Sequence, residues 1–240
     1  EMCIRDRAGY TDDRIILIVE DDIADNVSNP NKGVIQVTIG GNNVYENVEI
    51  DYRMSSLKAK DILAILNGEK SETLPTVIES TENDNLFVFW SGHGVPGAMC
   101  WDEEPYAMTG DDLSTVFKDM NLKRRYRKLL MMVEACFSGG VMEQCEGIPG
   151  MLFITAANGD ETSKADVFNG EMKVWMSNRF TSTFIEQITD NKDVAMRDLY
   201  YRLFINTVGS HVMVYNAENY GNLYSVNMSE FINFKNDKSK

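Results

Sequence analysis

Four short apolar runs constrain this chain more than any other feature. They read RIILIVE (14–20), LFVFW (86–90), LLMMV (129–133, extending to 135) and MLFITA (151–156). Each is apolar at consecutive positions, so both faces of an extended segment would be covered. That is the pattern of strands buried in a parallel sheet with helices on either side. Helical periodicity fills the intervals. Leu57, Ile62, Ile65 and Leu66 give residues 55–67 an apolar face, with Gly68 as the stop. Thr109, three residues before Asp112, predicts a capping box opening a helix over 111–120. Two further amphipathic helices are expected over 179–188 and 194–206, and a last strand over 211–215 (HVMVY). A small hairpin is expected between 34–39 and 44–45 across Gly40-Gly41. Strand–helix alternation over the whole length predicts one α/β domain around a mainly parallel sheet.

Bulk properties narrow the function. The chain has 240 residues and a formal net charge of −14. That balance argues against a nucleic-acid partner, which needs a basic face, and against anionic lipid. No apolar run approaches the roughly 20 residues of a membrane span. Residues 1–7 (EMCIRDR) resemble translated adapter sequence and are set aside as non-native. The domain is expected over 8–234, and the polar tail over 235–240 is expected to be disordered. Cys100, Cys136 and Cys145 show no metal-ligand spacing, so no metal and no cofactor are expected.

In such sheets, functional groups collect beyond the carboxyl ends of the strands. Two of these ends are unusual. LFVFW runs into Ser91-Gly92-His93-Gly94, and LLMMV runs into Glu134-Ala135-Cys136-Phe137-Ser138-Gly139-Gly140. Neighbouring strands lie about 4.8 Å apart, so His93 and Cys136 are placed to face each other. A thiol must lose its proton before attacking a carbonyl, and a histidine can take that proton and return it to a leaving amine. Backbone N–H groups of Gly94 and Cys136 are candidates for receiving the oxyanion. Glu134 shares a face with Cys136 and is better suited to reading a substrate side chain than to activating the thiol. Taken singly, Cys136 also reads as a small buried hydrophobe and His93 as a structural loop histidine. His211, the other histidine, reads as structural. Cys100 is expected to be packed beside Trp101, and Cys145 to be an incidental loop thiol.

The paired motifs SGHG and EACFSGG, in that order after buried strands, resemble those of the legumain (asparaginyl endopeptidase) family of cysteine peptidases, peptidase family C13, of caspase-like fold. The segments EDDIADNVSNPNKGVI, VYENVEIDY, TAANGDETS and SHVMVY extend the likeness from about Arg14 to Phe234. The resemblance implies a caspase-like three-layer domain whose first strand is truncated. It implies a nucleophile at Cys136, a general acid/base at His93, and oxyanion N–H groups from Gly94 and Cys136. Glu134, Ser163 and Asn178 match positions that line the pocket for the residue before the cut bond. That residue is asparagine in legumains, or aspartate at lower pH. The pocket arginine of the family belongs to a strand expected to lie ahead of this chain's start, and the helical C-terminal pro-domain is expected to be absent. Gly92 stands where legumains carry aspartate, and the catalytic subunit of the GPI-anchor transamidase has glycine there. Transamidation and a catalytically inactive peptide-binding role are therefore the alternatives to hydrolysis. The implied partner is a peptide or protein substrate, and the implied setting is a lysosome- or vacuole-like compartment or secretion.

Overall fold

A computed structural model describes residues 10–101, 108–191 and 193–232. Its centre is a four-stranded sheet built from β3 (Asn85–Ser91), β7 (Lys128–Glu134), β8 (Met151–Thr155) and β11 (Met213–Tyr215), in the order β11-β8-β7-β3. The first three strands run parallel and β11 runs antiparallel to β8. The sheet is thus mainly parallel, as the doubly apolar runs require.

Alternation along each strand sorts the core into two layers. Leu129, Met131 and Val133 of β7, with Met151 and Phe153 of β8, face one side. Leu130 and Met132, with Leu152 and Ile154, face the other. The first layer is closed by α1 (Ala59–Asn67) and α2 (Gly110–Leu122), through Ile62, Ile65, Leu113 and Phe117. The second is closed by α4 (Arg179–Asp190) and α5 (Met196–Asn206), through Phe180, Phe184, Leu199 and Leu203. Phe117 packs on Phe153 at 5.6 Å between centroids, and Phe184 stacks on Phe89 at 5.9 Å. This is the three-layer α/β architecture of a caspase-like domain.

Helix boundaries follow local chemistry. Thr109 caps α2: its hydroxyl accepts from the Asp112 N–H at 3.2 Å, and its own N–H donates to the Asp112 carboxylate at 3.1 Å. Gly68 ends α1 in the left-handed conformation at φ 69°. The helix expected from residue 55 starts at Ala59 instead, after a 3-10 turn at Met54–Ser56. There the Asp61 carboxylate takes the Lys58 N–H at 2.8 Å and sets the start.

Two expectations are corrected. The run RIILIVE contributes only β1 (Ile18–Val19), which pairs in parallel with β2 (Tyr52–Arg53) outside the four-stranded sheet. Ile16 and Ile18 pack against the first core layer, but the run is half-buried rather than enclosed. The hairpin over 34–45 does not form. Asn43 Oδ1 takes the N–H groups of Ile35 (3.0 Å) and Tyr45 (3.1 Å), so a side chain occupies the donors a ladder would use. The expected terminal segments at 1–7 and 235–240 lie outside the described residues. No helix among the described residues is long and apolar enough to cross a membrane.

Phe117→Ala should destabilise the fold by about 3–5 kcal/mol, because it empties space between α2 and β8. Leu122→Ala, at an 82% exposed position on the same helix, should stay within about 0.5 kcal/mol. Urea unfolding of both variants checks the contrast.

Candidate active site

The pairing of β3 with β7 runs in register from Asn85↔Lys128 to Ser91↔Glu134. His93 and Cys136 each follow that last pair by two residues, so the two loops leave the sheet side by side. The Gly92 N–H still donates to the Glu134 carbonyl at 3.0 Å, which carries the pairing one step beyond the strands. Gly94 then comes so close that a Cβ there would sit 2.0 Å from the Cys136 carbonyl oxygen. Only glycine permits that approach. His93 is exposed and Cys136 is half-buried. After His93 the chain turns through β4 (Gly94–Val95), β5 (Ala98–Met99) and β6 (Met108–Thr109). The Cys100 N–H returns to the His93 carbonyl at 2.9 Å and closes that turn.

The Cys136 loop is held from its other side by the segment after β8. The Phe137 N–H donates to the Glu161 carbonyl at 2.8 Å, and the Gly139 N–H donates to the Ala157 carbonyl at 3.1 Å. Phe137 sits at φ +56°, a left-handed conformation without glycine, just before the short helix α3 (Ser138–Met142). Gly140 and Gly159 pass each other closely: a Cβ on Gly159 would lie 3.1 Å from the Gly140 nitrogen, a tight contact. Ser163 ends the segment with its Oγ 3.9 Å from Cys136 Sγ.

Glu134 is 1% exposed. Its Oε2 accepts from the Thr181 N–H at 3.1 Å and the Thr181 hydroxyl at 3.2 Å. Its Oε1 is buried with no hydrogen-bond partner among the described residues. Burial holds this carboxyl above the ordinary carboxylate range, although Thr181 and the neighbouring Ser163 hydroxyl pull the other way. Asn178 closes β10 (Val174–Asn178) of a hairpin with β9 (Ala165–Asn169), and directly precedes α4, which carries Thr181. The structure therefore gathers His93, Gly94, Cys136, Glu134 and Ser163 at one sheet end. It sets Asn178 at the start of the helix that grips Glu134.

Sequence reasoning missed Thr181 and Glu161. Thr181 stands in no quoted motif, Glu161 lies in the TAANGDETS segment with nothing local to mark its partner, and each meets its partner across a long stretch of chain, 47 residues for Thr181 and Glu134. Of the other cysteines, Cys145 is buried and its thiol is pushed up to about 12 by that burial, which leaves it inert. Cys100 is half-buried and packs against the first core layer.

A cysteine and a histidine thus follow adjacent strands of a parallel sheet, inside a three-layer α/β domain of caspase-like architecture. Comparison with known proteins narrows this. The model of the Peptidase C13 family matches residues 2–231, and the chain belongs to that family. It is 30% identical over 216 residues to a legumain of Rattus norvegicus, covering 87% of this chain and 49% of the relative. The legumain of Homo sapiens is 28% identical over the same coverage. A vacuolar-processing enzyme of Vicia sativa is 35% identical over 163 residues, covering 65% of this chain and 32% of the relative. The chain spans about half the length of the legumains it matches.

The raised Glu134 carboxyl carries a signed pH dependence. A carboxyl with a raised folded-state pKa favours folding below its unfolded pKa, and that contribution is lost as pH rises through the folded value. Glu134→Gln keeps an acceptor for Thr181 and removes the charge. Its melting temperature relative to the unsubstituted chain should therefore be highest near pH 7 and should fall toward parity near pH 4. Melting curves across that range check it.

Proposed function

We propose that this domain is a cysteine endopeptidase that hydrolyses peptide bonds after asparagine, and after aspartate at lower pH. The observation that carries this reading is the register of β3 on β7, which delivers His93 and Cys136 to matching places past Ser91↔Glu134.

Cys136 Sγ gives its proton to His93 and attacks the carbonyl carbon of the scissile bond. The carbonyl oxygen becomes an oxyanion and accepts the N–H groups of Gly94 and Cys136. Collapse breaks the C–N bond, and His93 passes its proton to the departing amine. A thioester remains on Cys136. Water then loses a proton to His93 and attacks the thioester, and the acid leaves as the thiol is restored.

Glu134 supports the asparagine preference. A carboxamide offers an NH2 donor and a carbonyl acceptor. The unpartnered Oε1 of Glu134 suits the NH2 group, and the Ser163 hydroxyl beside Cys136 Sγ lies at the same wall. Asn178, just ahead of α4, is the further pocket residue in this reading, on the family resemblance. When the Glu134 carboxyl is protonated it becomes a donor as well, which suits a carboxylic side chain and fits aspartate at lower pH. The substrate is a peptide or protein, in keeping with membership of the Peptidase C13 family.

A second reading rests on Gly92. A side chain there would meet only Trp90 Nε1, at 3.5 Å, so the glycine is not forced by packing, and it matches the transamidase pattern. In that reading an amine rather than water takes the acyl group from the same thioester.

Cys136→Ala should reduce cleavage of an Asn-containing peptide to background. His93→Ala should lower it at least about 100-fold, the scale of general acid–base catalysis. Cleavage left unchanged by Cys136→Ala would overturn the assignment. Added amine nucleophile, followed by mass spectrometry of the products, separates hydrolysis from acyl transfer.

A further inference from the structure

Cys136 depends for its place on a contact that it does not itself make. Phe137, the next residue, adopts a left-handed backbone that costs a side-chain-bearing residue on the order of 1 kcal/mol. Such a conformation persists only where the surroundings over-determine it. Its N–H is spent on the Glu161 carbonyl at 2.8 Å, and two residues on, the Gly139 N–H is spent on the Ala157 carbonyl at 3.1 Å. The Ser138 hydroxyl reaches the same Ala157 oxygen at 3.3 Å. The 157–163 segment is therefore the mould against which the nucleophile loop is cast.

What holds the mould is the Glu161 side chain. Its Oε1 accepts the His211 N–H at 2.6 Å and the Asn158 N–H at 3.2 Å, and its Oε2 lies 2.9 Å from His211 Nδ1. The carboxylate thus ties the segment both to its own start and to the chain leading into β11. Burial would raise this carboxyl, but the bonds from His211 and Asn158 outweigh it and hold it below the ordinary range. The Glu161 side chain is 23% exposed and that of His211 is 68% exposed. The ring contact is therefore a screened surface pair of small worth. The two backbone N–H bonds to a half-buried carboxylate carry more, because charge-assisted bonds are the stronger kind.

We propose that Glu161 is a positioning residue: by bridging Asn158 and His211 it holds the 157–163 segment against the Cys136 loop, and through the Phe137 N–H it sets the place of the thiol. This role rests on the catalytic assignment of Cys136 made above. Glu161 touches neither the substrate nor Cys136 in it. His211 is the outer anchor, acting mainly through its backbone.

The test compares Glu161→Ala, Glu161→Gln and His211→Ala by two readouts. Amide hydrogen exchange reports the loop without any substrate, and kcat/KM on an Asn-containing peptide reports catalysis. Glu161→Ala should speed exchange at Phe137 and Gly139 while β7 and β8 exchange as before. It should lower kcat/KM by roughly 10- to 100-fold, the range expected from a displacement near 1 Å. Glu161→Gln retains an oxygen for both N–H groups and should recover most of the activity. His211→Ala retains its N–H and should lose only a few-fold.

Unchanged exchange at Phe137 and Gly139 in Glu161→Ala would overturn the proposal. So would faster exchange across the whole sheet, which marks a merely structural residue, or local loosening with kcat/KM intact. If the unsubstituted chain fails to cleave the peptide, the catalytic reading falls, and the exchange pattern still decides whether Glu161 places the Cys136 loop.

Discussion

The parallel pairing of β3 with β7 is the interaction on which the rest of the site depends. Its seven paired positions end at Ser91↔Glu134, and both candidate catalytic side chains are counted from there. A slip of one residue would turn His93 and every side chain of β3 to the opposite face of the sheet. The slip is opposed by two core layers. Leu86, Val88 and Trp90 pack toward one, and Phe87 and Phe89 toward the other. Core packing on both faces therefore secures the relative placement of the two loops that leave these strands.

Beyond the sheet, control passes to close backbone contacts. Gly94 lies against the Cys136 carbonyl, and Gly140 lies against Gly159. These contacts draw three separate loops into one wall. Glu134 belongs to this wall although it ends a strand. It is buried, held through one oxygen by Thr181, and left with the other oxygen unpartnered. An unpaired buried acceptor costs free energy, on the order of 1–3 kcal/mol. In the proposed reading, a substrate NH2 group would offset that cost on binding, which ties the unpaired oxygen to selectivity.

Much of this was legible in the sequence because the signals are local. Runs apolar on both faces marked β3, β7 and β8, and Thr109 with Asp112 marked the start of α2. The glycines around His93 and after Cys136 marked the strand ends where backbones come close. What was not legible depends on distant partners. The run 14–20 looks like a central strand, yet only Ile18–Val19 pairs, and it does so with Tyr52–Arg53. Asn43 dissolves an expected hairpin by taking two backbone donors with one side-chain oxygen. The β9–β10 hairpin carries an Asn169-Gly170 signal. Its Phe168, Val174 and Trp175 face solvent, so alternation there points to no core. Glu161 meets His211 across 50 residues, a pairing that no local pattern announces.

The central claim is that Cys136 is an activated nucleophile served by His93, in a pocket that reads asparagine. Its most direct measurement is intact-mass and peptide mapping after exposure to an electrophilic asparagine-based probe. The account predicts a single covalent adduct on Cys136, formed much more slowly in His93→Ala and suppressed by an excess of Asn-containing peptide. No adduct, or an adduct on Cys100 in place of Cys136, would contradict it.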